Sequence, residues 1–167
     1  EKIGKDAFLS SLNLEKVSFS ENSKLMIIKD SAFSKCPKLE SIQLPDEVEI
    51  IQDNCFSYTG LKSILIPSHI DTISPRTFYC CNQLKKVVLS DNIYEIGEFA
   101  FAQNNMLKRI DLPNSVEQIK SCAFMDCYNL KKVNTTEKTR LIIIEEGSFE
   151  NTQIEELRIN SDATELF

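Results

Sequence analysis

Residues 28–51 read IKDSAFSKCPKLESIQLPDEVEII. The pair Ala32–Phe33 follows Ile28 by four and five positions. Leu39, Ile42 and Leu44 then space themselves as a half-buried strand does, with Glu40, Ser41 and Gln43 between them, and Pro45 closes the run. Val48 brings the chain back to an apolar position, and Ile51 starts the same order of residue types again.

Working outward, the unit recurs through the chain. Phenylalanines stand at Phe8, Phe33, Phe56, Phe78, Phe101, Phe124 and Phe149, with gaps of 25, 23, 22, 23, 23 and 25 residues. Five residues before them stand Ile3, Ile28, Ile51, Ile73, Ile96, Ile119 and Ile144. Behind them come Leu14, Leu39, Leu61, Leu84, Leu107, Leu130 and Ile154, then Val17, Ile42, Ile64, Val87, Ile110, Val133 and Leu157. Length changes fall in polar stretches such as SENSKL (20–25) and TEKTRL (136–141), where a chain crossing the surface absorbs them.

A unit of about 23 residues cannot bury its own apolar face, but stacked copies can, each apolar position meeting its counterparts above and below. The pattern predicts a solenoid of about seven coils with a parallel sheet of one short strand per repeat. The Ala-Phe segments are expected to form short helical turns, with loop elsewhere and the V-x-x-I segment as a possible second strand. The array is expected over residues 1–160. The segment NSDATELF (160–167) shows no repeat register, so 161–167 reads as a C-terminal tail or cap. The chain opens at Glu1 without methionine or an apolar leader, which reads as a mature protein or a piece of a longer one.

At this level of detail the chain resembles the BspA-like leucine-rich repeats, marked by I-G-x-x-A-F-x-x-C-x-x-L-x-x-I-x-I-P. The resemblance rests on residues 28–51, on IKSCAFMDCYNLKKV (119–133) and on the longer variant VSFSENSKLMIIKDSAF (17–33), and it covers residues 3–160. The glycine after isoleucine is kept only at Gly4 and Gly97. The family cysteine is matched at Cys36, Cys81 and Cys127 and replaced at Ser11, Thr59, Asn104 and Thr152. The resemblance implies an α/β leucine-rich-repeat solenoid and a surface or secreted protein that adheres to or binds a partner.

Composition narrows the functions. The net charge is −6, with 25 acids against 19 bases, which argues against a general nucleic-acid binder. No apolar run approaches the ~20 residues of a membrane span. Cys36, Cys81 and Cys127 share one register two coils apart, roughly 9–10 Å, whereas a disulfide needs Cα atoms within about 7 Å. Together with Cys55, Cys80 and Cys122 they read as free thiols, mostly packing the coil corners. No paired C-x-x-C, glycine-rich phosphate loop or histidine beyond His69 is present, so no metal, cofactor or catalytic constellation is expected. One sequon, Asn134-Thr135-Thr136, falls at the end of the sixth strand.

The charge pattern carries the one positive signal. In a stacked array, equal repeat positions form columns. The two positions after the pattern leucine read Glu15–Lys16, Glu40–Ser41, Lys62–Ser63, Lys85–Lys86, Lys108–Arg109, Lys131–Lys132 and Glu155–Glu156. Coils three to six therefore hold Lys62, Lys85, Lys86, Lys108, Arg109, Lys131 and Lys132, leaving 12 bases against 25 acids elsewhere. The next outward column contains Leu65 and Val88, an apolar spot beside the cations. These nine residues are the candidate contact surface for a protein or anionic glycan partner. The simpler alternative is an ordinary solvated lysine face. The compartment reads as extracellular or cell surface, with a cytoplasmic or cytoskeletal scaffold as the other reading.

Overall fold

The computed structural model describes residues 1–159 and the backbone of Glu165–Leu166. The first seven strands in chain order are β1 Lys2–Ile3, β2 Lys16–Val17, β3 Ile27–Ile28, β4 Ser41–Ile42, β5 Ile50–Ile51, β6 Ser63–Leu65 and β7 Thr72–Ile73. The other seven are β8 Lys86–Val88, β9 Glu95–Ile96, β10 Arg109–Asp111, β11 Gln118–Ile119, β12 Lys132–Asn134, β13 Ile143–Ile144 and β14 Glu165–Leu166. Among the described residues every pairing is parallel, and partners are equal repeat positions, for example Ile28↔Ile51, Ile73↔Ile96 and Ile110↔Val133. The solenoid expected from the repeat is therefore the observed architecture.

The V-x-x-I segments form a second strand, so coils one to six carry two strands each and coil seven one among the described residues. One side of the stack carries β1-β3-β5 and, beyond a break, β7-β9-β11-β13-β14. The other side pairs coils two by two, as β2-β4, β6-β8 and β10-β12. Strands stay at two or three residues because each coil must turn several corners within about 23 residues. At the tail, Glu165 pairs with Ile143 and Leu166 with Ile144. The backbone register thus continues 22 residues beyond Ile144, inside the segment that shows no repeat in sequence. Residues 160–164 and 167, most of the expected tail or cap, lie outside the described residues.

The Ala-Phe segments are not helical turns, and no helix occurs among the described residues. Their backbone explains why. The residues two before and two after each ladder phenylalanine have positive φ, from Asp6 and Ser10 in the first coil to Gly147 and Asn151 in the last. Thirteen of these fourteen positions are not glycine. Left-handed residues at such spacing exclude an α-helix. Alternate N–H groups instead reach across coils: Phe99 donates to Ser121 at 3.2 Å, Phe101 to Ala123 at 2.8 Å and Gln103 to Met125 at 2.8 Å. The N–H groups between them close tight turns within the coil, Ala100 to Gly97 and Ala102 to Phe99, both at 3.1 Å. The inter-coil bonds compensate for left-handed conformations that cost roughly 1–2 kcal/mol each.

The core runs as columns along the stack. All seven ladder phenylalanines form one continuous pile, neighbouring centroids 5.1–5.7 Å apart and planes within 10°. Phe33, Phe56, Phe78, Phe101 and Phe124 are fully buried. Beside them runs a column of polar donors three residues later. Cys36, Cys81 and Cys127 donate to the preceding coil's phenylalanine carbonyls Phe8, Phe56 and Phe101 at 3.1, 2.9 and 3.1 Å. Asn104 does the same to Phe78 at 2.8 Å, though its own Oδ1 is buried without a partner. The thiols at these corners thus close backbone hydrogen bonds as well as filling space. In the shortened coil FSYTGL, a Cβ on Gly60 would lie 2.2 Å from the Pro37 carbonyl oxygen, so losing one residue draws two backbones together and only glycine fits.

Candidate functional site

The strand sequence L-x-x-I-x-L sends its second apolar residue inward and its flanking residues out. In β8 the burial runs exposed, buried, exposed for Lys86, Val87 and Val88, and β6, β10 and β12 repeat it. All seven predicted cations, with Leu65 and Val88, are consequently exposed on one face.

Backbone register sets their spacing. Leu65 pairs with Val88, and Arg109 with Lys132. The N–H of Lys85 donates to the Lys62 carbonyl at 2.9 Å, and that of Lys131 to Lys108 at 3.0 Å. Between coils four and five the sheet is interrupted, and a shallow depression of about 430 Å³ opens there, lined by Lys85, Lys86, Val88, Leu89, Arg109 and Asp111. Cations from coils four and five therefore line one hollow.

The face is not uniformly positive. Lys62 pairs with Glu40 at 2.5 Å, and Arg109 with Asp111 at 2.9 Å. Asp111 also accepts from the Asn134 amide at 2.5 Å. That bond, with the Arg109 guanidinium and the charge of Lys86, holds the Asp111 carboxyl below its usual range. Lys85, Lys86, Lys108, Lys131 and Lys132 have no ion pair among the described residues. The sequence reading missed Glu40 and Asp111 as partners of the ladder. Column arithmetic could have found both, since Glu40 lies one coil from Lys62 and Asp111 two residues along the strand from Arg109. The sequon residue Asn134 is exposed at the end of β12, its amide engaged with Asp111.

A second cluster went unnoticed in sequence because its members come from different repeat positions. Tyr58 meets Tyr79 edge to face at 5.4 Å, Tyr79 meets Phe99 at 6.5 Å, and the Arg76 guanidinium sits 4.8 Å over the Phe99 ring. These residues decorate the turn side of coils three to five.

All six cysteines are free thiols, four of them buried. Burial pushes the Cys55 thiol up to about 12, Cys81 to about 11 and Cys127 to about 12. Thiols held protonated are poor nucleophiles and metal ligands. Among the described residues no group of three His, Cys, Asp or Glu side chains is placed to hold a metal ion. No described helix is long and apolar enough to cross a membrane.

Comparison with known structures agrees with this architecture. A leucine-rich repeat protein from Bacteroides ovatus ATCC 8483 superposes with a TM-score of 0.84 at 22% identity, over 98% of this chain and 48% of that one. The T. pallidum leucine rich repeat protein gives 0.75 at 29% identity, over 81% and 63%. A leucine-rich repeat protein from Eubacterium ventriosum ATCC 27560 gives 0.66 at 18% identity, over 92% and 48%. The chain thus spans about half to two thirds of the length of these structures. A search of curated protein sequences returns no match. The BspA type leucine rich repeat region matches in six copies across residues 1–131 and 95–167. This chain belongs to the BspA-type leucine-rich repeat family.

Proposed function

We propose that this chain is a non-enzymatic binding module of a surface or secreted protein, contacting an anionic partner through the strand face of coils three to six. One observation carries the reading. An acidic chain places seven cations on adjacent columns of one face, five of them without an ion pair among the described residues. Like charges at inter-strand spacing repel by several tenths of a kcal/mol per pair at the surface. A partner that neutralises them gains that energy and releases bound counterions. Leu65 and Val88 give the charged surface a small apolar centre, the arrangement of a contact patch.

The test is charge reversal. Dextran sulfate serves as a generic polyanion, with the variant Lys86→Glu, Arg109→Glu, Lys132→Glu. Affinity should fall by more than about tenfold, and the slope of log K against log salt should shrink by about three. Reversal of Lys5, Lys24 and Lys138, exposed at repeat positions outside these columns, should have the smaller effect on both. Equal effects from the two triple variants, or none from the first, would sink the reading.

The free thiols favour one competing role, a scaffold inside a cell, since a reducing compartment maintains thiols. Fractionation of the source cells separates the two. Recovery in the surface or secreted fraction supports the module, and recovery in the cytoplasm supports the scaffold.

A further inference from the structure

We infer that the turn side of coils three to seven is a second contact surface, taking an arginine-bearing basic segment of a partner protein. It lies outside the strand-face columns of the binding reading above and does not depend on them.

Aromatic surface is exposed there. Tyr58 is 44% exposed, and with the half-buried Tyr79 and Phe99 it forms the edge-to-face cluster of coils three to five. The chain shows on itself what such rings accept. The exposed Arg76 holds its guanidinium 4.8 Å over the Phe99 ring while reaching the Glu98 carboxylate at 3.8 Å. One planar cation is thus stacked on a ring and paired with an acid at the same place, a combination that suits arginine better than lysine.

Beside that pair the surface steps down. The positive-φ position two before the ladder phenylalanine carries Arg76, Phe99, Cys122 and Gly147 in coils four to seven. Side-chain size falls along this column from two large groups to a thiol and then to none. The step lies on the side of Phe99 away from Arg76. A Cβ on Gly147 would lie 3.1 Å from Cys122 Sγ and 3.4 Å from Glu150 Oε2, so the thiol and the carboxylate border it.

The charge around the step is negative. The turn segments of coils five to seven (97–105, 120–128 and 145–153) hold Glu98, Asp126, Glu145, Glu146 and Glu150 against one base, Lys120. Lys120 is paired with Glu145 at 2.9 Å. Burial, and then the charges of Glu150, Glu98, Glu146 and Asp126, push the Cys122 thiol up, because the four carboxylates gather around it. Glu146 and Glu150 are exposed and have no ion pair among the described residues. A neutral sugar or an apolar segment laid there covers these carboxylates without pairing them, and an acidic partner is repelled. An arginine of a basic segment satisfies ring and acids together. Its guanidinium rests on the step beside Phe99, and the segment's other cations reach Glu146 and Glu150.

The experiment titrates the intact chain at low salt with fluorescently labelled hexa-arginine, hexa-lysine, hexa-glutamate and maltohexaose, read by anisotropy. Hexa-arginine should bind at least about threefold more tightly than hexa-lysine, and the other two should not bind measurably. Glu146→Gln with Glu150→Gln should weaken hexa-arginine binding about fivefold or more. Glu47→Gln with Glu49→Gln, the same charge change at exposed positions outside the turn segments, should weaken it by less than about twofold. Phe99→Asn keeps a residue that tolerates the φ of 53° and should erase the preference for arginine over lysine. The two glutamine substitutions sit at exposed positions and read the site even if Phe99→Asn fails to fold. Failure of hexa-arginine to bind, equal losses from the two double variants, or an unchanged arginine preference in a folded Phe99→Asn overturns the assignment. Binding of maltohexaose or hexa-glutamate as tight as that of hexa-arginine overturns it too. Self-association of the chain in sedimentation, abolished by Glu146→Gln with Glu150→Gln, would give the surface to a second copy instead.

Discussion

Replacing Phe101 by alanine, beside the same change at Phe8, measures what coil stacking contributes. Phe101 is fully buried, with the Phe78 and Phe124 rings 5.3 Å away on either side. Truncating a buried phenylalanine costs about 3–5 kcal/mol, and each stacked ring pair adds about 0.5–1.5 kcal/mol beyond burial. Two pairs are lost in a site closed on all sides, so the upper end, about 4–5 kcal/mol, is expected. Phe8 is 39% exposed and touches one ring, Phe33, at 5.1 Å. With less area to lose and no closed cavity to leave, its truncation should cost about 1–2 kcal/mol. For a chain of this size that corresponds to a fall in Tm of roughly 10–15 °C for Phe101→Ala and 3–6 °C for Phe8→Ala. Urea titration followed by far-ultraviolet circular dichroism reads the difference. Equal costs at the two sites would refute the stacked-column account, since identical repeat positions would then differ in nothing that matters.

Further outcomes follow from the turns and the thiols. Lys35 holds φ 58° with an exposed side chain, so Lys35→Gly should stabilise by about 0.5–1 kcal/mol and Lys35→Val should destabilise by at least as much, read as shifts in the urea midpoint. At pH 8 a thiol-reactive dye should label the partly exposed Cys80 and Cys122 first, and Cys36, Cys55, Cys81 and Cys127 only on unfolding. Six equal rates would contradict the buried corners. The raised thiols also set a sign for alkaline stability. Unfolded cysteines ionise near 9.0, whereas native Cys55, Cys81 and Cys127 keep their protons to about 11–12. The native state binds more protons in that window, so stability is full below pH 9.0 and falls as pH rises above it. Denaturation midpoints measured from pH 7 to 10.5 should drop at the alkaline end, and a flat profile would contradict the burial.

The solenoid was legible because stacking forces the same inward residue type at the same place in every coil. Ile28, Phe33, Leu39 and Ile42 recur for that reason, and their columns are the core. The outward cations were legible through the same register. The turns were not. Left-handed backbone usually announces itself through glycine or asparagine, yet here Arg76, Phe99, Cys80 and Tyr58 occupy it and only Asn54, Gly147 and Asn151 give the sign. Inter-coil hydrogen bonds hold those residues there, and such bonds have no local sequence signature. The continuation at Leu166 was hidden likewise, because backbone pairing with Ile144, not a phenylalanine ladder, carries it.

Hydrogen–deuterium exchange of the intact chain with and without dextran sulfate tests the binding face most directly. The account predicts slowed exchange in peptides covering residues 62–65, 85–88, 108–111 and 131–134. It predicts no change in those covering 50–51, 72–73, 95–96 and 118–119 on the opposite strands. Protection centred on those opposite strands, or spread evenly over both sides, would contradict it.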